Sequence, residues 1–381
     1  MNFIPYGHQE INDEDIKEVV SVLKSDWITT GPKIKEFEDA LCSYINCKYC
    51  VVVNSGTSAL DITVQSLNLP KGSEVITTPF TFVATSNSII YNDLTPVFAD
   101  IQKDTFNIDP KEIRKKITKN TKAIIYMDYA GQPCDINEIK KIADEFGLYL
   151  IEDACHAIGA EYENKKVGNF ADLTIFSFHP VKHITTGEGG AVATNNKEFY
   201  EKMLLLRSHG IDKSIQERYG SNATWAYDMK YLGRNYRMTD FQAALGISQL
   251  KKLDLFIKKR QKVVTRYKEH LKKIKEITLP QVNCNVNHAW HIYTILLDET
   301  IDRNAFFKYI KNLNIGVNVH YIPIYKHTYY KNKFNFDKND YPITENIFKR
   351  IITLPLFPSI TEQDIEYIIE CIKKAIKNSK K

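Results

Sequence analysis

The sequence predicts an α/β protein with a mostly parallel seven-stranded sheet in a large domain, followed by a smaller C-terminal α+β domain. Three observations carry this reading. Seven short apolar runs, YCVVVN, EVITTP, TPVFAD, AIIYMD, LYLIED, LTIFSF and GAVATN, lie between residues 49 and 195. They are continuous rather than alternating, as strands buried on both faces require. Helical patterns such as SALDITVQSLNL and DINEIKKIADEFG separate several of them, and alternating strands and helices build a parallel sheet covered by helices. Near Asp240 the pattern changes to one long charge-rich helical stretch, DFQAALGISQLKKLDLFIKKRQKVVTRYKEHLKKIKE, which reads as a connecting helix. The large domain is therefore expected at 1–250 and the small one at 251–381.

The C-terminal part adds a strand at HIYTILL and closes on an amphipathic helix. There Ser359 and Glu362 have capping-box spacing. Ile365, Ile368, Ile369, Ile372 and Ile376 share one helical face.

Composition narrows the function. The 381 residues are 43% hydrophobic and 25% charged, ordinary for a globular protein. A net charge of +5 suits an anionic small substrate but lacks the basic stripe of a nucleic-acid binder. Seven cysteines include one CKYC (Cys47 and Cys50) with no second pair, so no zinc site is expected, and the thiols read as idle in a reducing compartment. MNFIPYGHQEIND has no signal-like apolar region, and no run reaches the length of a membrane span. These features predict a cytoplasmic protein with neither membrane nor nucleic acid as partner.

The chemistry begins at SFHPVKHITTGEGG, where Lys182 follows a strand that reads as buried and sits in a tight turn. Desolvation lowers the pKa of a lysine, and its neutral amine attacks carbonyls to form a Schiff base. Alone, a turn lysine is more often a surface residue. Three further segments change the balance. In IEDACHA, Asp153 ends a strand, where ligands of parallel sheets bind. A buried carboxylate there needs a cation, and a protonated pyridine nitrogen is one. In VVVNSGTSAL, Gly56, Thr57 and Ser58 open a helix whose amides suit a phosphate dianion. In TPFTFVATSNSI, Phe82 offers a ring that can stack on a flat cofactor.

Phosphate cradle, stacking ring, carboxylate and lysine, each at a strand end, are the requirements of pyridoxal 5′-phosphate. Through NSGTSAL, TPFTFVATSN, IEDACHAIGA, FSFHPVKHITTGEGGAV, LRSHGI, YLGRNYRMTDFQAALGISQL and HYIPIY the chain resembles the DegT/DnrJ/EryC1/StrS sugar aminotransferases, which have the fold of type I pyridoxal-phosphate transferases. The resemblance implies that Lys182 holds the cofactor as a Schiff base and that Asp153 partners its pyridine nitrogen. By the same resemblance His156 is implied to lie beside the ring, Phe82 and Cys155 to flank its faces, and Thr57 and Ser177 to bind its phosphate. Asn235 is implied to reach the phosphate from a neighbouring subunit, which makes the active unit a homodimer with shared sites. Thr29, Thr30 and Gly31 of WITTGP, with His320 and Tyr321 of HYIPIY, are implied to line the sugar site.

Family dehydratases carry histidine where Lys182 stands; here a histidine, His183, only follows it, which favours transamination. The implied reaction moves an amino group from glutamate to C4 of a nucleotide-linked 4-keto-6-deoxy sugar. SFHPVKHITTGEGGAV, MDYAGQPCD and HYIPIYKHTYY resemble the branch acting on UDP-2-acetamido-2,6-dideoxy-β-L-arabino-hex-4-ulose, on the way to pseudaminic acid. Asp128 in MDYAGQPCD stands where many relatives in the wider family carry histidine. Other UDP- or dTDP-linked sugars, of viosamine or bacillosamine type, are the alternative substrates, and dehydration is the alternative reaction.

Overall fold

A computed structural model describes residues 2–212 and 225–381. Two helices, α1 (Asp13–Leu23) and α2 (Pro32–Ile45), precede the sheet. Then β1 (Tyr49–Val53), α3 (Gly56–Ser66), β2 (Glu74–Thr77), α4 (Val83–Tyr91), β3 (Thr95–Phe98), α5 (Pro110–Lys116), β4 (Thr121–Met127), α6 (Ile136–Phe146) and β5 (Tyr149–Asp153) alternate. The short β6 (Glu161–Tyr162) and β7 (Lys165–Lys166) precede β8 (Leu173–Ser177), β9 (Gly190–Thr194) and α7 (Lys197–Arg207).

The large sheet has the order β1-β9-β8-β5-β4-β2-β3. Its strands run parallel except β9, which pairs antiparallel with both β1 and β8. Every apolar run singled out in the sequence forms one of its strands, and their side chains are almost all buried. Helices on both faces explain why these runs do not alternate. The parallel strands β1, β2, β5 and β8 deliver their carboxyl ends to one rim of the sheet, and the loops that follow them build the site.

The long stretch from Asp240 is two helices rather than one. α8 (Asp240–Leu250) packs on α1 and α2, whereas α9 (Leu253–Leu271) packs on the last helix. The break falls at Lys251 and Lys252, where Lys252 is the N-cap of α9, with φ −104° and ψ −3°. The remaining elements are β10 (Ile277–Thr278), β11 (Val286–Asn287), β12 (Tyr293–Leu297), α10 (Arg303–Asn312), α11 (Thr328–Lys333), α12 (Pro342–Arg350), β13 (Ile351–Leu354) and α13 (Glu362–Asn378). β10, β12 and β13 form an antiparallel sheet, covered by α9, α10 and α13.

The five isoleucines of α13 all face this second core. Its cap differs from the expected Ser359–Glu362 pair. Thr361 is the N-cap, its hydroxyl oxygen accepting from the Asp364 amide while the Asp364 carboxylate accepts from the Thr361 amide. Aspartate thus serves where glutamate was expected, two residues further on.

Candidate active site

The loops after β1, β2, β5 and β8 meet the segment Asn318–Ile322 around a cavity of about 600 Å³. Of the residues named from the sequence, Gly56, Thr57, Phe82, Asp153, Cys155, His156, Ser177, Lys182, His320 and Tyr321 all line it. The chain thus gathers residues up to 265 positions apart (321 − 56) in one space.

At the β1 end, Ser55 is the N-cap of α3 and accepts from the Ser58 amide at 3.0 Å. The Gly56 and Thr57 amides precede the intrahelical hydrogen-bond ladder and remain donors for an anion. A Cβ at Gly56 would lie 2.9 Å from Ser177 Cβ, so glycine is what lets the β8 end approach the helix N-terminus. Ser58 departs from its expected place. Its hydroxyl bonds Asn54 Oδ1 at 2.6 Å and Ser55 Oγ at 2.8 Å, and it does not line the cavity. It shapes the turn instead of offering a donor.

Asp153 ends β5, 3% exposed. Its Oδ2 accepts from the Thr85 hydroxyl at 2.7 Å and its Oδ1 from the Cys155 amide at 3.2 Å. Both partners are neutral, so this buried carboxylate still calls for a cation. It caps no helix, because a turn follows it.

Lys182 sits in the turn after β8, with its amide donating to the His179 carbonyl at 2.8 Å. The side chain is half-buried and lines the cavity. Burial lowers its pKa from the ordinary lysine value; Cys155 and Asp153 oppose this in part. That is the shift a nucleophilic amine needs. His183 turns away, its Nε2 lying 3.0 Å from the Ala289 carbonyl oxygen.

The imidazoles around Lys182 are held neutral. Burial pushes His156 and His291 well below the usual histidine range, helped by the Lys182 charge, and burial takes His320 down to about 3. His156 Nε2 meets the Tyr321 hydroxyl at 2.8 Å, and its ring centroid lies 4.2 Å from that of His291. His320 Nδ1 is anchored 2.8 Å from the Thr353 hydroxyl. Phe82 is 55% exposed at the N-cap of α4 and lines the cavity, its ring centroid 6.3 Å from that of Tyr321.

Four expected residues lie elsewhere in their own chain. Thr29, Thr30, Gly31 and Asn235 do not line the cavity. Thr29 pairs with Thr239, and the Gly31 amide donates to Asp240 Oδ2 at 2.7 Å, so the two segments are neighbours. A Cβ at Gly31 would fall 2.6 Å from Trp27 Cβ, which gives this glycine a packing role. Arg234 and Tyr236 both turn to Asp61, leaving Asn235 exposed between them.

Sequence reading missed Tyr6, Thr85, His291 and Asn318, all of which line the cavity. Only Thr85 had a local signal, as it lies one helical turn after Phe82 in a segment already singled out.

An anion site at a helix N-terminus, a buried carboxylate bonded only to neutral donors, a lysine of lowered pKa and an open ring fit pyridoxal 5′-phosphate. The profile of the DegT/DnrJ/EryC1/StrS aminotransferase family matches residues 9–373. A UDP-4-amino-4,6-dideoxy-N-acetyl-β-L-altrosamine transaminase of Campylobacter jejuni is 38% identical, over 99% of each chain. Among solved structures, Helicobacter pylori PseC, an aminotransferase involved in the biosynthesis of pseudaminic acid, is 35% identical with a TM-score of 0.93, covering 99% of this chain and 100% of its own. Spr1654 of Streptococcus pneumoniae, solved in its PLP form, is 32% identical with a TM-score of 0.91, covering 98% of this chain and 99% of its own. This chain belongs to the DegT/DnrJ/EryC1/StrS aminotransferase family.

Proposed function

We propose that the protein transfers an amino group from glutamate to C4 of a nucleotide-linked 4-keto-6-deoxy sugar, using pyridoxal 5′-phosphate. The acceptor that fits best is UDP-2-acetamido-2,6-dideoxy-β-L-arabino-hex-4-ulose. The observation that carries the reading is the convergence of Lys182, Asp153, Gly56, Thr57 and Ser177 on one cavity. The altrosamine transaminase and PseC relatives support the choice of acceptor.

When bound, the cofactor supplies an electron sink for the carbon that loses or gains the amine. The chain does the rest. The Gly56 and Thr57 amides, with the Thr57 and Ser177 hydroxyls, hold the phosphate, and Asp153 holds the pyridine N–H. Phe82 and Cys155 cover the two ring faces. Residues that hold the phosphate at one end and the ring nitrogen at the other would present the reacting carbon to Lys182. Lys182 Nζ, its pKa lowered by burial, would take the proton from that carbon and return it to the neighbouring one. His156, also neutral, adds no second positive charge beside the amine.

We further propose that the working form is a homodimer with shared sites. Asn235 and Thr29–Gly31 lie outside their own cavity; Thr29 pairs with Thr239, four residues after Asn235, and Trp27, Ile28, Tyr231 and Leu232 are exposed in the two segments. Such apolar side chains suit a surface covered by a second copy.

The test is an amination assay with glutamate across UDP- and dTDP-linked 4-keto-6-deoxy sugars, with products identified by mass spectrometry. The UDP-2-acetamido sugar should be converted fastest. Preference for a dTDP-linked sugar lacking the acetamido group would move the assignment to another branch. Loss of water without nitrogen gain would replace transamination by dehydration.

A further inference from the structure

We propose that Thr85 is a positioning residue that fixes the Asp153 carboxylate through a directional chain of two hydroxyls; this rests on Asp153 being the partner of the cofactor's pyridine nitrogen. Thr85 Oγ1 lies 2.7 Å from Asp153 Oδ2. An ionised carboxylate only accepts, so the single Thr85 proton is committed to it. The Thr85 oxygen then accepts in turn, and Thr81 Oγ1 stands 2.8 Å away. Thr81 has one competing acceptor, Met127 Sδ at 3.0 Å, and a thioether sulfur accepts weakly. The chain therefore runs in one direction, Thr81 to Thr85 to Asp153. Both threonines are 1% exposed, where aligned hydrogen bonds reinforce one another.

The chain also links the carboxylate to the ring-stacking residue. Phe82 is the N-cap of α4, and the Thr85 amide donates to the Phe82 carbonyl at 3.2 Å. One helical turn thus sets both the ring that covers the cofactor's face and the hydroxyl that aims Asp153. Cys155, through its amide, holds only the other carboxylate oxygen. Without Thr85 the carboxylate keeps one tether and can rotate about it.

The experiment titrates apoenzyme with pyridoxal 5′-phosphate alone and measures the dissociation constant for the wild type and for Thr85→Val, Thr85→Ser, Thr81→Val and Asp153→Asn. It also follows the single-turnover reaction of each loaded protein with L-glutamate. Thr85→Val, nearly isosteric, should weaken cofactor binding about 10- to 100-fold, as expected for a hydrogen bond to a charged group. Thr85→Ser should restore it to within about 3-fold, and Thr81→Val should fall between them. The thermal midpoint of the apoenzyme should be the same in Thr85→Val and Thr85→Ser, which separates positioning from folding. Should Thr85→Val not fold, Thr85→Ala takes its place against the same serine variant. Wild-type affinity in Thr85→Val, with weakened binding in Asp153→Asn, overturns the role of Thr85 alone. Wild-type affinity and single-turnover rate in Asp153→Asn overturn the reading of Asp153, and the proposal with it.

Discussion

The Tyr321 hydroxyl and His156 Nε2 lie 2.8 Å apart, joining the segment before α11 to the turn after β5 across the mouth of the cavity. Burial holds the tyrosine as a phenol and the histidine as a neutral imidazole. The bond is therefore between uncharged groups, worth about 0.5–1.5 kcal/mol net. Among the described residues His156 Nδ1 has no hydrogen-bond partner, so this bond and the packing of the ring against His291 set its orientation. Tyr321→Phe keeps the packing and removes the bond. It should lower kcat about 3- to 10-fold with folding intact, measured by steady-state kinetics beside circular dichroism.

Asp128 lies beneath the site, not in it. It is fully buried beside Glu152 and the Tyr126 hydroxyl, and among the described residues Asp128 Oδ2 and Glu152 Oε1 have no geometric hydrogen-bond partner. One proton between them satisfies both. Glu152 already accepts from the Thr174 hydroxyl and the Gly168 amide, so the proton belongs on Asp128. Burial and the Glu152 charge raise the Asp128 pKa well above the ordinary carboxylate range. The native state therefore holds this proton over a pH range in which the unfolded chain has lost it. Its contribution to stability is complete below the unfolded pKa and declines as pH rises through the folded one. Asp128→Asn supplies the donor at every pH. It should stabilise the protein at pH 8 by on the order of 1 kcal/mol, with the gain shrinking towards pH 5. Thermal melts at the two pH values check this.

Arg260 on α9 is a buried cation whose hydrogen bonds run to carbonyls instead of a carboxylate. Its Nη1 reaches the carbonyl oxygens of His291 and Leu356 at 3.0 Å and of Trp290 at 3.3 Å; its Nη2 reaches that of Lys182 at 3.5 Å. Burial brings its pKa down to about 10, which leaves it charged at neutral pH. Arg260→Met strands those carbonyls and should cost about 2–4 kcal/mol. Arg260→Lys should recover little, since one ammonium cannot span the same fork. Denaturant titration measures both.

The proposed sharing of sites between two chains makes a prediction about mixtures. Lys182→Ala and Asn235→Asp should each be inactive, the second because a carboxylate would face the phosphate. Mixed dimers should regain one working site, which receives Lys182 from one chain and Asn235 from the other. Folded mixed dimers without activity would return Asn235 to its own chain's service.

Most of this architecture was legible because a strand buried on both faces writes a continuous apolar run, as at Cys50–Val53 and Leu173–Phe176. The reversal of β9 was not, since GAVAT has the same pattern in either direction. Nor was the break at Lys251–Lys252, where helix-forming residues continue on both sides and only packing on different partners separates α8 from α9. Site residues at strand ends were readable from local motifs. His291 and Asn318 were not, because they reach the cavity through chain crossings far from any such motif. Ser58 misled because it follows Gly56 and Thr57 on the same helix turn but spends its hydroxyl on Asn54.

The most direct measurement follows nitrogen. Wild-type and Lys182→Ala proteins, each loaded with pyridoxal 5′-phosphate, are incubated with nitrogen-15-labelled glutamate and the UDP-linked 2-acetamido 4-keto sugar. The products are read by mass spectrometry. The account predicts label at C4 of the sugar with one 2-oxoglutarate released per amine, and no labelled sugar from Lys182→Ala over repeated turnovers. Labelled sugar formed at wild-type rate by Lys182→Ala, or an unlabelled product from the wild type, would contradict it.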